Sequence, residues 1–264
     1  MTINNNSWQE NLSMFMLAPA ALVLVGMHND YGWLILLAGV LLTAAQARIR
    51  KHILLLYLSL SALGFIPITT EITNENFLRM GLVLGAALTI PFVITRYVYR
   101  DRSITFKFHH GRKWFKKEIM YILVTALIAY LLLPYYLKST GAYLNWGVEN
   151  TADSIGRLFI GTNGLGIWDE LFFVSTVLGI LRLYLPFWQA NLLQSVLFTS
   201  FLFELGFTSW APFVLYPFAL IQGYIFKLTD SLLYVITIHL TLDFVLFLAL
   251  LNAPHPQLAD YFLY

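Results

Sequence analysis

Five ionisable side chains lie inside apolar stretches in the second half of the chain: Asp169, Glu170, Glu204, His239 and Asp243. An ionisable group at membrane depth costs about 2.5–3.5 kcal/mol on insertion scales. Such groups usually face a bundle interior, pair with one another, and mark a reaction site or a transport path. Carboxylates and an imidazole are also the side chains of general acid–base chemistry. Clustered carboxyls cannot all ionise cheaply. Either one keeps its proton or a cation neutralises them, and both states serve to activate water.

The spacing refines this. His239 and Asp243 are four apart and share one helical face. An Asp one turn away fixes an imidazole tautomer, raises its basicity or shares a ligand; the plainer reading is a core histidine with its hydrogen bonds satisfied. Asp169 and Glu170 are adjacent, about 100° apart on a helix, so one can face a cavity and the other a neighbour. Alternatively, Gly161, Asn163, Gly164 and Gly166 precede a helix N-terminus at this pair, where acids meet a favourable dipole. Glu204, in Leu202-Phe203-Glu204-Leu205-Gly206, either points inward toward Glu170 and His239 or sits at the membrane edge. No cofactor is expected. The groups that would hold a divalent metal, with a position open for water, are Glu170, Glu204 and His239.

The elements that must position these residues are membrane helices. The 264 residues are 59% hydrophobic and only 11% charged, with mean hydropathy +0.70. A soluble domain carries about 25% charged residues. There is no cysteine, which excludes disulfides, thiolate catalysis and cysteine metal sites. Apolar runs cover approximately 12–28, 32–47, 52–69, 77–95, 118–138, 165–183, 188–206, 210–227 and 231–252. They are apolar all round, unlike barrel strands, and lipid leaves backbone groups no partner outside a helix or a closed barrel. The expected fold is all-α, a polytopic transmembrane bundle of eight or nine helices.

Basic residues set the expected orientation. Arg48, Arg50 and Lys51 follow the second run, and Arg96, Arg100, Arg102, Lys107, Arg112, Lys113, Lys116 and Lys117 follow the fourth. With positive loops inside, the N-terminus is cytoplasmic. The aromatics of the 96–117 loop suggest that part of it lies along the membrane surface, and no nucleic-acid partner is expected. The polar N-terminus has no basic n-region, so no cleaved signal peptide is indicated. The chain divides into an N-terminal bundle over 1–138, a polar connection over 139–164, a membrane domain over 165–252 and a tail over 253–264. The cell membrane is the expected compartment.

Within 165–252 lies Gly223-Tyr224-Ile225-Phe226-Lys227-Leu228-Thr229-Asp230-Ser231-Leu232, followed by His239-x-x-x-Asp243. This resembles the C-terminal motif of the CAAX-protease and bacteriocin-processing (CPBP, or Abi) family, also described as type II CAAX prenyl endopeptidase-like. That family has a glycine-bearing helix, a Thr-Gly-Ser-Leu-like turn, and a helix with His-x-x-x-Asn or His-x-x-x-Asp. Its first motif is Glu-Glu-x-x-x-Arg; here Asp169-Glu170 occupies the acid pair and Val174 the arginine position. Glu204 stands in the slot of the family's second-motif histidine. The resemblance implies water activated by the first acid and the second-motif histidine, with the last motif stabilising the oxyanion.

Three functions remain open at this point. The first is an intramembrane endopeptidase with a rebuilt site of Asp169, Glu170, Glu204, His239 and Asp243, acting on a membrane-embedded or lipidated protein or peptide. The second is a catalytically inactive scaffold, immunity or partner-binding protein with the same fold. The third is a proton or ion path, since acid and histidine chains also serve as relays.

Overall fold

The computed structural model describes residues 6–108, 113–258 and 261–263. Arg112 of the basic loop, the first five residues and three residues of the tail lie outside them. The described chain is helical, with no strand among its residues. The principal helices are α1 (Trp8–Gly26), α2 (Tyr31–Ala44), α3 (Arg50–Gly64), α4 (Asn74–Val98), α5 (Lys116–Thr140), α6 (Ala152–Leu181), α7 (Phe187–Glu204), α8 (Pro212–Thr229) and α9 (Leu232–Asn252). Each overlaps one of the apolar runs. Among the described residues, α1, α4, α5, α6 and α9 are long and apolar enough to cross a membrane, and α2 is a shorter apolar helix. Outward faces carry large apolar side chains: Leu34 is 64% exposed, Leu82 66% and Phe213 82%. Water rejects contiguous apolar surface, whereas lipid tails accept it. This is an integral membrane protein.

The chain forms two compact units. The first comprises Met1–Thr69, Arg79–Phe106 and Leu171–Leu228; the second comprises Thr70–Leu78, Lys107–Glu170 and Thr229–Tyr264.

In the first unit, backbone needs explain several side-chain choices. Pro91 inside α4 has no N–H, so the carbonyl of Ala87 loses its helical donor. The Ser59 hydroxyl on α3 donates to that carbonyl at 2.7 Å. Between α7 and α8, the Asn191 amide donates to Leu220 O at 2.8 Å, and the Gln194 amide donates to Ala219 O at 3.0 Å. Asn191 and Gln194 are fully buried. A Cβ on Gly223 would lie 1.9 Å from Asn191 Oδ1, so only glycine admits this approach. The glycine of the family-like motif thus has a packing role. At one end of the unit, Lys51 Nζ meets Asp101 Oδ2 at 3.1 Å. The basic residues after α2 therefore share an end with those after α4, as the reading of both as one-sided loops requires.

In the second unit, α9 packs against both α5 and the Ala152–Asp169 stretch of α6. The Tyr234 hydroxyl donates to Glu118 O at 2.9 Å, and Phe159 meets Phe247 edge-on at 5.3 Å between centroids. The turn into α9 places Asp230 at φ +48°, in the left-handed region. Ser231 caps the helix by accepting the Tyr234 N–H, and Lys107 donates to Asp230 at 2.7 Å. Asp230 is the position at which the related turn carries glycine, the residue that reaches positive φ without penalty.

The 139–164 stretch differs from its sequence reading. Only its first part is a connection; from Ala152 onward it is helical. Thr151 caps the helix by accepting the Ser154 N–H, and Asp153 lies in the first turn, where it suits the helix dipole. Polar residues that look like loop in sequence are here the opening turns of a long helix.

Candidate active site

Asp169 and Glu170 lie in the body of α6, eighteen residues into the helix that opens at Ala152. They do not form a helix N-terminus; the glycines before them are helical. The α-helical pattern ends at Asp169 and a π-helical stretch runs over Glu170–Val177. Such widened turns are rare and occur frequently at functional sites. Both acids are buried, Asp169 at 2% exposure and Glu170 at 1%.

Opposite them, α9 presents His239 and Asp243, both buried. His239 Nδ1 lies 2.7 Å from Glu170 Oε1. On the other edge of the ring, Nε2 lies 3.7 Å from Asp169 Oδ2 and 3.9 Å from Asp243 Oδ1. The adjacent acids therefore flank the imidazole: Glu170 bonds one nitrogen and Asp169 faces the other. Asp243 shares the helical face of His239, as its spacing implies, but 3.9 Å is beyond a hydrogen bond. Of these three acids, Glu170 is the one within hydrogen-bond distance of His239. Asp169 Oδ1 and Asp243 Oδ2 are buried and accept no hydrogen bond from another described residue.

Gly166 makes this convergence possible, and sequence reasoning missed its role. A Cβ there would stand 1.8 Å from Asp243 Oδ2 and 3.2 Å from His239 Cδ2. Gly166 is one turn before Glu170, so it shares that face of α6. A glycine four residues ahead of a membrane-embedded acid was the available signal.

Glu204 lies in the first unit. Its Oε1 accepts the Ile68 N–H at 2.9 Å and lies 3.2 Å from His28 Nδ1. It thus ties the end of α7 to the segment after α3 and the turn after α1. Among the described residues, no group of three or more His, Asp or Glu side chains is placed to hold a metal ion.

A pair of helices that buries three carboxyls around one imidazole is a general acid–base constellation. Residues 151–245 match the family described as type II CAAX prenyl endopeptidase Rce1-like. This stretch is similar to that family. The match takes in both helices of the site, from the Thr151 cap of α6 to just past Asp243 of α9, and agrees with the CPBP resemblance of the motifs. No curated protein and no solved structure matches the chain. The Rce1-like match indicates a CAAX-protease type of membrane protein, for which a membrane-associated protein is the kind of substrate implied.

Proposed function

We propose that the protein is an intramembrane endopeptidase that hydrolyses a peptide bond in a membrane-anchored, lipidated protein or peptide. The observation that supports this reading best is the 2.7 Å contact between Glu170 Oε1 and His239 Nδ1, with Asp169 facing the other ring nitrogen. Glu170 is the general base. It takes a proton from water as the water oxygen attacks the scissile carbonyl carbon. His239 polarises the carbonyl oxygen through Nε2–H, and Asp169 and Asp243 balance charge on the ring. Collapse of the tetrahedral intermediate breaks the C–N bond, and the leaving amine receives the proton.

Position along α9 suits this chemistry. His239 is seven residues past Leu232, so it lies about 10 Å along the helix from its start. A peptide whose lipid anchor sits in the bilayer has its nearby bonds at such a depth. Glu204, in the slot of the family's second-motif histidine, is left outside this mechanism because it is engaged by Ile68 and His28.

That engagement also favours a second reading. With Glu204 used as a tie within the first unit, the chain is a catalytically inactive scaffold, immunity or partner-binding protein on the same fold. Cleavage of a fluorogenic lipidated peptide by the purified protein in bilayer nanodiscs separates the two. The endopeptidase reading expects turnover that falls at least about 100-fold in Glu170→Gln and His239→Ala. Turnover equal in wild type and both variants, or no turnover across a panel of prenylated and acylated peptides, supports the scaffold.

A further inference from the structure

We infer that the end of the first unit built from the start of α3 and the segment after α4 is a binding site for the phosphate-bearing headgroup of an anionic membrane lipid. The inference rests on how one acid is used. Asp101 sits in Arg100-Asp101-Arg102 and is turned inward. Its Oδ2 takes Lys51 Nζ at 3.1 Å and His52 Nε2 at 3.0 Å, while Oδ1 takes the Ser103 hydroxyl at 2.6 Å. His52 is in turn 2.5 Å from the Tyr184 hydroxyl through Nδ1. The Asp101 N–H donates to Thr95 O, which folds the segment back on the end of α4. Arg100 reaches this turn only at φ +53°, a left-handed conformation that strains a residue carrying a Cβ.

The result is a fixed turn whose acid is consumed and whose arginines are not. Arg50, Arg96, Arg100 and Arg102 are exposed, and none of their side chains forms an ion pair or hydrogen bond with another described residue. Four unpaired guanidinium groups are held on two segments clamped through Asp101. The clamp places them at a membrane boundary: Arg96 is in the last turns of α4, beside Tyr97 at 68% and Val98 at 67% exposure. A tyrosine and an aliphatic side chain there seat in the interface. Guanidinium forks match phosphate oxygens in geometry and charge. A cluster of four or more basic residues next to a membrane helix attracts anionic headgroups. The partner is therefore a lipid of the same leaflet, reached laterally from the bilayer.

Thermal unfolding of the full chain in a neutral detergent tests this, with phosphatidylcholine, phosphatidylglycerol or inorganic phosphate titrated in. Wild type should be stabilised by phosphatidylglycerol at concentrations at least ten-fold below those at which phosphatidylcholine acts, and inorganic phosphate should not reproduce the effect. The Arg50→Gln/Arg100→Gln pair should lose most of that preference. The Lys116→Gln/Lys117→Gln pair, which removes equal charge from the second unit, should keep it. Should the arginine pair fail to fold, Arg102→Gln alone must still lower the preference several-fold. Equal losses in the two pairs would mean diffuse charge attraction and overturn the site. A response to inorganic phosphate matching that of the lipid would overturn the assignment to a headgroup.

Discussion

Glu170 and His239 are 69 residues apart in sequence and meet at 2.7 Å through Oε1 and Nδ1, both buried between α6 and α9. A buried pair of this kind couples its members strongly. In a double-mutant cycle on thermal unfolding, Glu170→Ala and His239→Ala should be non-additive by about 1–3 kcal/mol. Additive losses would mean that the contact carries no energy in the folded protein.

Gly166 sets how closely α6 and α9 approach at the site. Gly166→Ala puts a methyl carbon onto Asp243 Oδ2. Overpacking of this type costs about 1–3 kcal/mol, and peptide cleavage should be lost with it. Asp243→Ala removes the obstructing carboxylate, so the Gly166→Ala penalty should shrink in that background. A full penalty in both backgrounds would place the clash elsewhere.

Asp230 occupies a left-handed turn, and its bond to Lys107 is half-exposed. Exposed ion pairs are worth about 0–1 kcal/mol, whereas positive φ costs a residue with a Cβ about 1–2 kcal/mol. Asp230→Gly should therefore leave stability unchanged or raise it by up to about 1 kcal/mol, and Asp230→Ala should lower it. Chemical denaturation of the two variants beside wild type orders them. A clear loss in Asp230→Gly would show that the Lys107 bond outweighs the strain.

Asp101 gives a pH dependence. Burial raises its carboxyl, but the bonds from the Ser103 hydroxyl and N–H, from His52 and from Lys51 outweigh burial and hold it below the usual carboxylate range. A depressed folded value contributes stability that is complete above the unfolded value, about 3.9, and is lost as pH falls toward the folded value. The unfolding temperature should drop below about pH 4 in wild type, and Asp101→Asn should flatten that drop while lowering stability at neutral pH. Parallel acid limbs in the two proteins would remove Asp101 as the cause.

The fold was legible because lipid imposes it. Runs of apolar residues near membrane length have one backbone solution each, and all nine runs are helices. Their ends were less legible. Asp153, Arg157 and Asn163 resemble loop residues, and only the cap at Thr151 reveals that α6 starts there. The π-helical stretch from Glu170 has no compositional mark at all. At the site, His239 and the acid pair could be picked out by their cost in lipid, but which acid would bond the imidazole could not. Sequence separation favoured Asp243, four residues away; the approach of α6, allowed by Gly166, gave the bond to Glu170. Glu204 shows the same limit. Its apolar neighbours fix its depth but not its partners, and Ile68 and His28 come from the ends of two apolar runs, where the chain has left the helix.

The bond from Ser59 to the carbonyl left without a donor by Pro91 bears on how the chain is made. Alone in hydrocarbon, α4 carries an unsatisfied carbonyl at Ala87, a penalty of several kcal/mol. Its donor is on α3, which leaves the ribosome first. The two segments are thus suited to enter the bilayer as a helical hairpin, with the earlier helix holding a hydroxyl ready for the later one. Ser59 is in this sense an assembly residue: its removal should be felt during biogenesis, as poor insertion of the segment that follows it.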